Sequence, residues 1–123
     1  MPRIERNEER EDRIMMEAIV DAYGAEEQAM GWYYYLADKI HFPFQARCIR
    51  ESKISPLQIG ETVQVVGMVS EYDCLNKKFV EIEWSGRTFG VPLSQLEGVE
   101  VDEDTEEAIA DWHYWVARGY RLC

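Results

Sequence analysis

The segment Phe79-Val-Glu-Ile-Glu-Trp-Ser-Gly-Arg-Thr-Phe-Gly-Val91 decides the fold class. From Phe79 to Trp84 apolar and acidic residues alternate, the period of a strand with one buried and one solvated face. Ser85-Gly86 is a two-residue turn signal, and Thr88 to Val91 resumes the extended pattern, so the segment predicts an antiparallel hairpin. Outward from it, Thr62 to Val69 (TVQVVGMV) is a strand candidate with Gly67 as the place for a bulge, and Leu75-Asn76-Lys77-Lys78 is a looser turn. Phe44 to Ile49 and Leu96 to Val101 complete a set of five short strands. That set predicts a small antiparallel β-barrel of the SH3-like type over 43–101, closed so that no bare edge remains.

Helical periods flank the strands. Ile14, Ala18, Asp21 and Ala22, with Met15 and Ile19 beside them, give an amphipathic period running to Tyr23, where Gly24 stops it. A second helix runs from Ala25 to about Asp38, and Pro43 ends the helical pattern because it lacks a donor and restricts Phe42. These two form a helical hairpin over about 4–39. The last helix spans 104–118, opened by Asp104 and Thr105 with Glu107 at capping-box spacing and stopped by Gly119. The expectation is an α+β chain, one compact domain over 1–123.

The chain has 123 residues, with 24 Asp and Glu against 13 Lys and Arg, a formal charge of −11. With 46% hydrophobic and 12% aromatic residues it is too apolar for a disordered acidic polymer. It offers no basic stripe, so nucleic acid and anionic membranes are excluded as expected partners. The first twelve residues form no apolar leader, and no stretch approaches the roughly 18 apolar residues of a span. Cys48, Cys74 and Cys123 are odd in number and far apart, which predicts reduced thiols and a cytoplasmic setting.

The charge is unevenly spread. From Thr88 to Ala117 there are eight acids, Glu97, Glu100, Asp102, Glu103, Asp104, Glu106, Glu107 and Asp111, and no Lys or Arg. From Ile14 to Asp38 there are five more, again without a base, so these two stretches hold the whole excess. Like charges this close destabilise a fold unless a cation or partner offsets them. The plain alternative is that Glu100 to Glu107 is a solvated loop and helix start, where acids suit the dipole. Asp38 stands at the other kind of end, a helix C-terminus, where carboxylate and unpaired carbonyls together resemble a Ca²⁺ donor set. There the plain alternative is that Lys39 or water satisfies those carbonyls.

An EF-hand starting at Asp102 fails, because its sixth position is Glu107 and its twelfth is His113. His41 and Cys48 have no zinc spacing, His113 reads as a packed or interfacial residue, and no phosphate loop or nucleophile elbow occurs. Glu81 and Glu83 read as a solvated strand face. The run Trp32-Tyr33-Tyr34-Tyr35 turns around its helix and so leaves some aromatic surface that a partner could bind.

The phrases IVDAYGAEEQAMGWYYYLADKIHFPFQ (Ile19 to Gln45) and DWHYWVARGY (Asp111 to Tyr120) resemble the CcbP-type calcium-binding proteins of cyanobacteria and other bacteria. The resemblance implies a small acidic cytoplasmic protein that binds Ca²⁺ through surface carboxylates without EF-hands. In heterocyst-forming cyanobacteria such proteins hold down free Ca²⁺ and are linked to control of differentiation. Charge and resemblance together predict a non-enzymatic Ca²⁺ buffer or sensor. Asp38 forms one site, and Glu100, Asp102, Glu103, Asp104 and Glu107 form another or complete the first. A regulatory protein partner would be of unknown kind. The alternative is an SH3-like interaction module for a basic or extended peptide, and a third reading is a small hydrolase using Cys48 or a carboxylate.

Overall fold

A computed structural model describes residues 5–20, 24–53, 55–69 and 79–118, with the side chains of 25 and 26 excepted. The chain runs α1 (Glu8–Arg13), a π-helical turn (Ile14–Ala18), α2 (Ala25–Lys39), β1 (Phe44–Cys48), β2 (Thr62–Met68), β3 (Phe79–Trp84) and β4 (Arg87–Pro92). A 3₁₀ turn (Leu93–Gln95), β5 (Leu96–Val99) and α3 (Glu103–Ala117) follow. The expected helix end at Tyr23, the turn Leu75 to Lys78, Cys74, Cys123 and the stop at Gly119 lie outside the described residues.

The predicted hairpin forms around Ser85 and Gly86, with φ values of 51° and 78°. Two successive left-handed residues match the right-handed twist of the flanking strands, and β3 pairs with β4 from Trp84↔Arg87 to Phe79↔Pro92. The strand order is β4-β3-β2-β1-β5, antiparallel throughout. Opposed positions align Phe44, Val65, Ile82 and Phe89 in one row across four strands, the row that faces the core. The register slips between Val65 and Gly67, a bulge at the position expected from the glycine.

Among the described residues the sheet stays open, with β4 and β5 as its edges, so these pairings do not form the expected closed SH3-like barrel. The apolar face is covered in another way. α3 packs on the 3₁₀ turn and on β5, and α2 reaches β2, so helices bury the surface that closure would have buried.

The core joins both layers. Trp32 of α2 and Trp112 of α3 are fully buried and meet edge to face, with ring centroids 5.0 Å apart. Leu36, Val65, Ile82, Val91, Leu93 and Leu96 fill the space beneath them. Each such side chain contributes roughly 1.5–3 kcal/mol on burial. α1 is different, because none of its residues is buried. After Arg13 the helix widens into the π turn, in which the Ile19 N–H donates to the Ile14 carbonyl. The regular helix expected as far as Tyr23 is thus interrupted at Ile14. Gly31 of α2 accommodates the close approach of this turn, since a Cβ there would lie 2.3 Å from the Ala18 carbonyl oxygen.

Candidate metal centre

The C-terminal end of α2 and the N-terminal end of α3 meet in space. α2 ends where the Ile40 N–H donates to the Leu36 carbonyl, and the carbonyls after Leu36 have no further helical turn to bond them. α3 begins with Asp102 as its N-cap, whose carboxylate accepts from the Thr105 N–H (3.1 Å) and the Thr105 hydroxyl (2.6 Å). The expected box from Asp104 to Glu107 is therefore displaced by two residues. Thr105 can serve Asp102 with two donors, whereas Glu107 is drawn away to Lys39. Thr105 is fully buried, and its hydroxyl oxygen also accepts the His41 N–H at 2.9 Å, which ties the loop after α2 to the start of α3.

That tie brings side chains together. His41 Nδ1 lies 3.0 Å from Asp102 Oδ2. His41, Asp102 and Asp104 each present one potential ligand atom within 4.8 Å of the others, and all three are exposed. Asp38 and Asp104 line the same concavity, together with Glu17, His41 and Lys39. Glu100, which has a left-handed φ of 53°, lines a neighbouring groove with Asp102 and His41. The Thr105 hydroxyl, the Thr105 N–H and the nearby His41 hold the Asp102 carboxyl down at about 2. Asp102 is thus ionised at any physiological pH.

The remaining expected residues stand apart. Glu103 is exposed in the first turn of α3 and outside the three-residue cluster. Glu107 accepts from Lys39 and lies 3.6 Å from Arg13, so it faces cations already present. Burial opposes the Lys39 charge, but hydrogen bonds with Glu107 and Tyr35 outweigh it and raise the ammonium pKa. Asp111, counted above among unbalanced acids, is fully buried and accepts from Arg10, Arg13 and Tyr35. Burial first, and then the bond to Asp111, push the Tyr35 hydroxyl up to about 12.

His41 is the member of the cluster that the sequence reading did not place there. The sequence reading tests it only for zinc spacing; its position three residues after Asp38, just past a helix end, is the one signal that could have found it. The donor set is mainly carboxylate oxygen, the chemistry of a hard divalent cation, and the imidazole is the one softer group. A Ca²⁺ ion fits residues of this kind, since it tolerates irregular geometry and takes mono- or bidentate carboxylates. Glu81 and Glu83 are exposed on β3, as their alternation predicts, and take no part.

A family model for CcbP proteins, described as calcium binding, matches residues 12–116. The crystal structure of Anabaena CcbP is 47% identical, with a TM-score of 0.86, and the match covers 98% of this chain and 99% of that one. A calcium-binding protein solved in its calcium-binding form is 46% identical, with a TM-score of 0.83 and the same coverage. No curated protein matches significantly.

Proposed function

The chain belongs to the CcbP family of calcium-binding proteins, and from that premise we propose that it holds Ca²⁺ where the end of α2 meets the start of α3. The observation that carries the placement is the convergence of Asp102 and Asp104 beside His41, with Asp38 on the same concavity. In this reading Asp38, Asp102 and Asp104 supply carboxylate oxygens, and Glu100 and Glu103 flank them. Glu107 joins only by giving up Lys39 and Arg13. The chain's own work is to keep Asp102 ionised, to brace it through Thr105, and to place two helix ends face to face. We read residues 1–123 as one domain with this centre on its surface, acting as a non-enzymatic buffer or sensor in the cytoplasm. No helix among the described residues is long and apolar enough to cross a membrane.

Calorimetric titration with Ca²⁺ in low salt tests the proposal. Expected are measurable heat, a rise in melting temperature by linkage, and preference over Mg²⁺, which demands a stricter octahedron. Absence of heat and of thermal shift at millimolar Ca²⁺ overturns the calcium reading. Asp104→Asn or Asp38→Asn is expected to weaken binding about tenfold, or ~1.4 kcal/mol. Unchanged affinity in both variants overturns the placement alone.

A further inference from the structure

Four large apolar side chains of the N-terminal helical region lie more than half in solvent: Met15, Met16, Val20 and Tyr34. Val20 and Tyr34 share a concavity of about 920 Å³, and Met15 and Met16 are exposed on the π turn just before Val20. Exposed apolar residues grouped in this way mark interaction surfaces more often than scattered ones do. Methionine suits such a role because its unbranched side chain repacks around different partners.

The rim is acidic. Glu17, Asp38 and Asp104 line the same concavity and are exposed. Lys39, its one lysine, is engaged by Glu107 and Tyr35, and the His41 imidazole by Asp102. On α2, Glu27, Tyr34 and Asp38 are all exposed, and their spacing of seven and four residues places them along one side of the helix. Apolar surface therefore alternates with uncompensated negative charge.

We propose that this surface docks a basic, amphipathic helical segment of another protein, with leucine-like side chains against Val20 and Tyr34 and Lys or Arg against Glu17 and Asp38. The charge selects this occupant. A second copy would bring the same acids to the contact, and an anionic membrane would be repelled by them. A groove meeting an amphipathic helix is a recurrent mode of peptide recognition. Asp38 and Asp104 also belong to the proposed calcium centre, so the test is run in chelator, where failure of docking is distinct from failure of calcium binding.

The probe is a synthetic Leu/Lys amphipathic helix of about five turns, ~18 residues, against the full chain at physiological salt, with binding read by fluorescence anisotropy. Val20→Ser with Tyr34→Ser leaves the net charge unchanged and alters only exposed positions, and circular dichroism checks the fold. Expected is a loss of roughly tenfold or more in affinity, from the apolar area withdrawn. Ile59→Ser removes an exposed apolar residue outside the concavity and is expected to leave affinity within about twofold. Equal binding by wild type and the double variant overturns the proposal, because attraction to the overall acidic surface would then suffice. Sedimentation that shows a dimer dissolved by the double variant also overturns it, in favour of self-association.

Discussion

Asn in place of Asp111 is expected to loosen α1 from the body of the protein. Asp111 is fully buried, and its two oxygens take four hydrogen bonds. The donors are Arg10 Nη1 at 2.7 Å, Arg13 Nη2 at 2.7 Å, Arg13 Nε at 3.0 Å and the Tyr35 hydroxyl at 2.7 Å. Removing one partner of a buried ion pair costs about 3–5 kcal/mol when the other charge stays buried. Here the guanidinium side chains are 27% and 23% exposed, so both can turn partly to water and the cost falls. An amide nitrogen at the Oδ2 place faces two donors; the Tyr35 hydroxyl can turn to accept, which leaves Arg13 Nε as the one mismatched donor, worth about 1–3 kcal/mol. The net expectation is a loss of ~2–3 kcal/mol in urea unfolding. The loss should have a local signature as well. α1 buries no side chain and is held by Arg10 and Arg13 on Asp111, by the Asn7 N–H on the Tyr114 hydroxyl and by Glu11, which accepts from that hydroxyl, so in the variant its amides should exchange faster than those of α2. A variant within about 0.5 kcal/mol of wild type, with unchanged exchange in α1, would refute the assignment of Asp111 as the anchor of that helix.

Three further outcomes follow from other sites. Gly31→Ala, a favourable change in most helices by about 1 kcal/mol, is expected to destabilise by ~2 kcal/mol, because the new Cβ meets the Ala18 carbonyl; a rise in melting temperature would contradict that contact. Gln95 is buried with both side-chain polar atoms lacking a partner among the described residues, so Gln95→Met is expected to stabilise by about 1 kcal/mol and to raise the melting temperature by several degrees. A lower melting temperature would show that the amide is satisfied. The Asp102 carboxyl is depressed in the folded state, so its contribution is full above the ordinary value of 3.8 and is lost as pH falls through about 2. Its carboxyl carbon, followed by NMR, should titrate near 2 in wild type and higher in Thr105→Val; a value near 3.8 in wild type would remove the argument for the Thr105 brace.

Much of the fold was legible because its signals are local. The alternation from Phe79 to Trp84, the Ser85-Gly86 turn and the bulge at Gly67 each rest on backbone rules acting within a few residues, and each appears where it was expected. Boundaries moved by one or two residues where a side chain found a distant partner. Glu107 went to Lys39 instead of capping α3, and Asp102 took the cap with Thr105. The open edge of the sheet was not legible, because whether a strand set closes depends on what else covers its apolar face, and α3 covers it here.

The sequence by itself determined the alternation of helix, strands and helix, the family resemblance, and an excess of negative charge in two stretches without bases. It could not show which of those acids remain unpaired, because charges interact through space and not along the chain. Only the tertiary structure decided that. Arg10 and Arg13, far away in sequence, neutralise Asp111, and Lys39 takes Glu107. Where two helix ends meet, Asp38 and Asp104 line one concavity and Asp102 stands beside Asp104, with a histidine that no spacing rule had placed there.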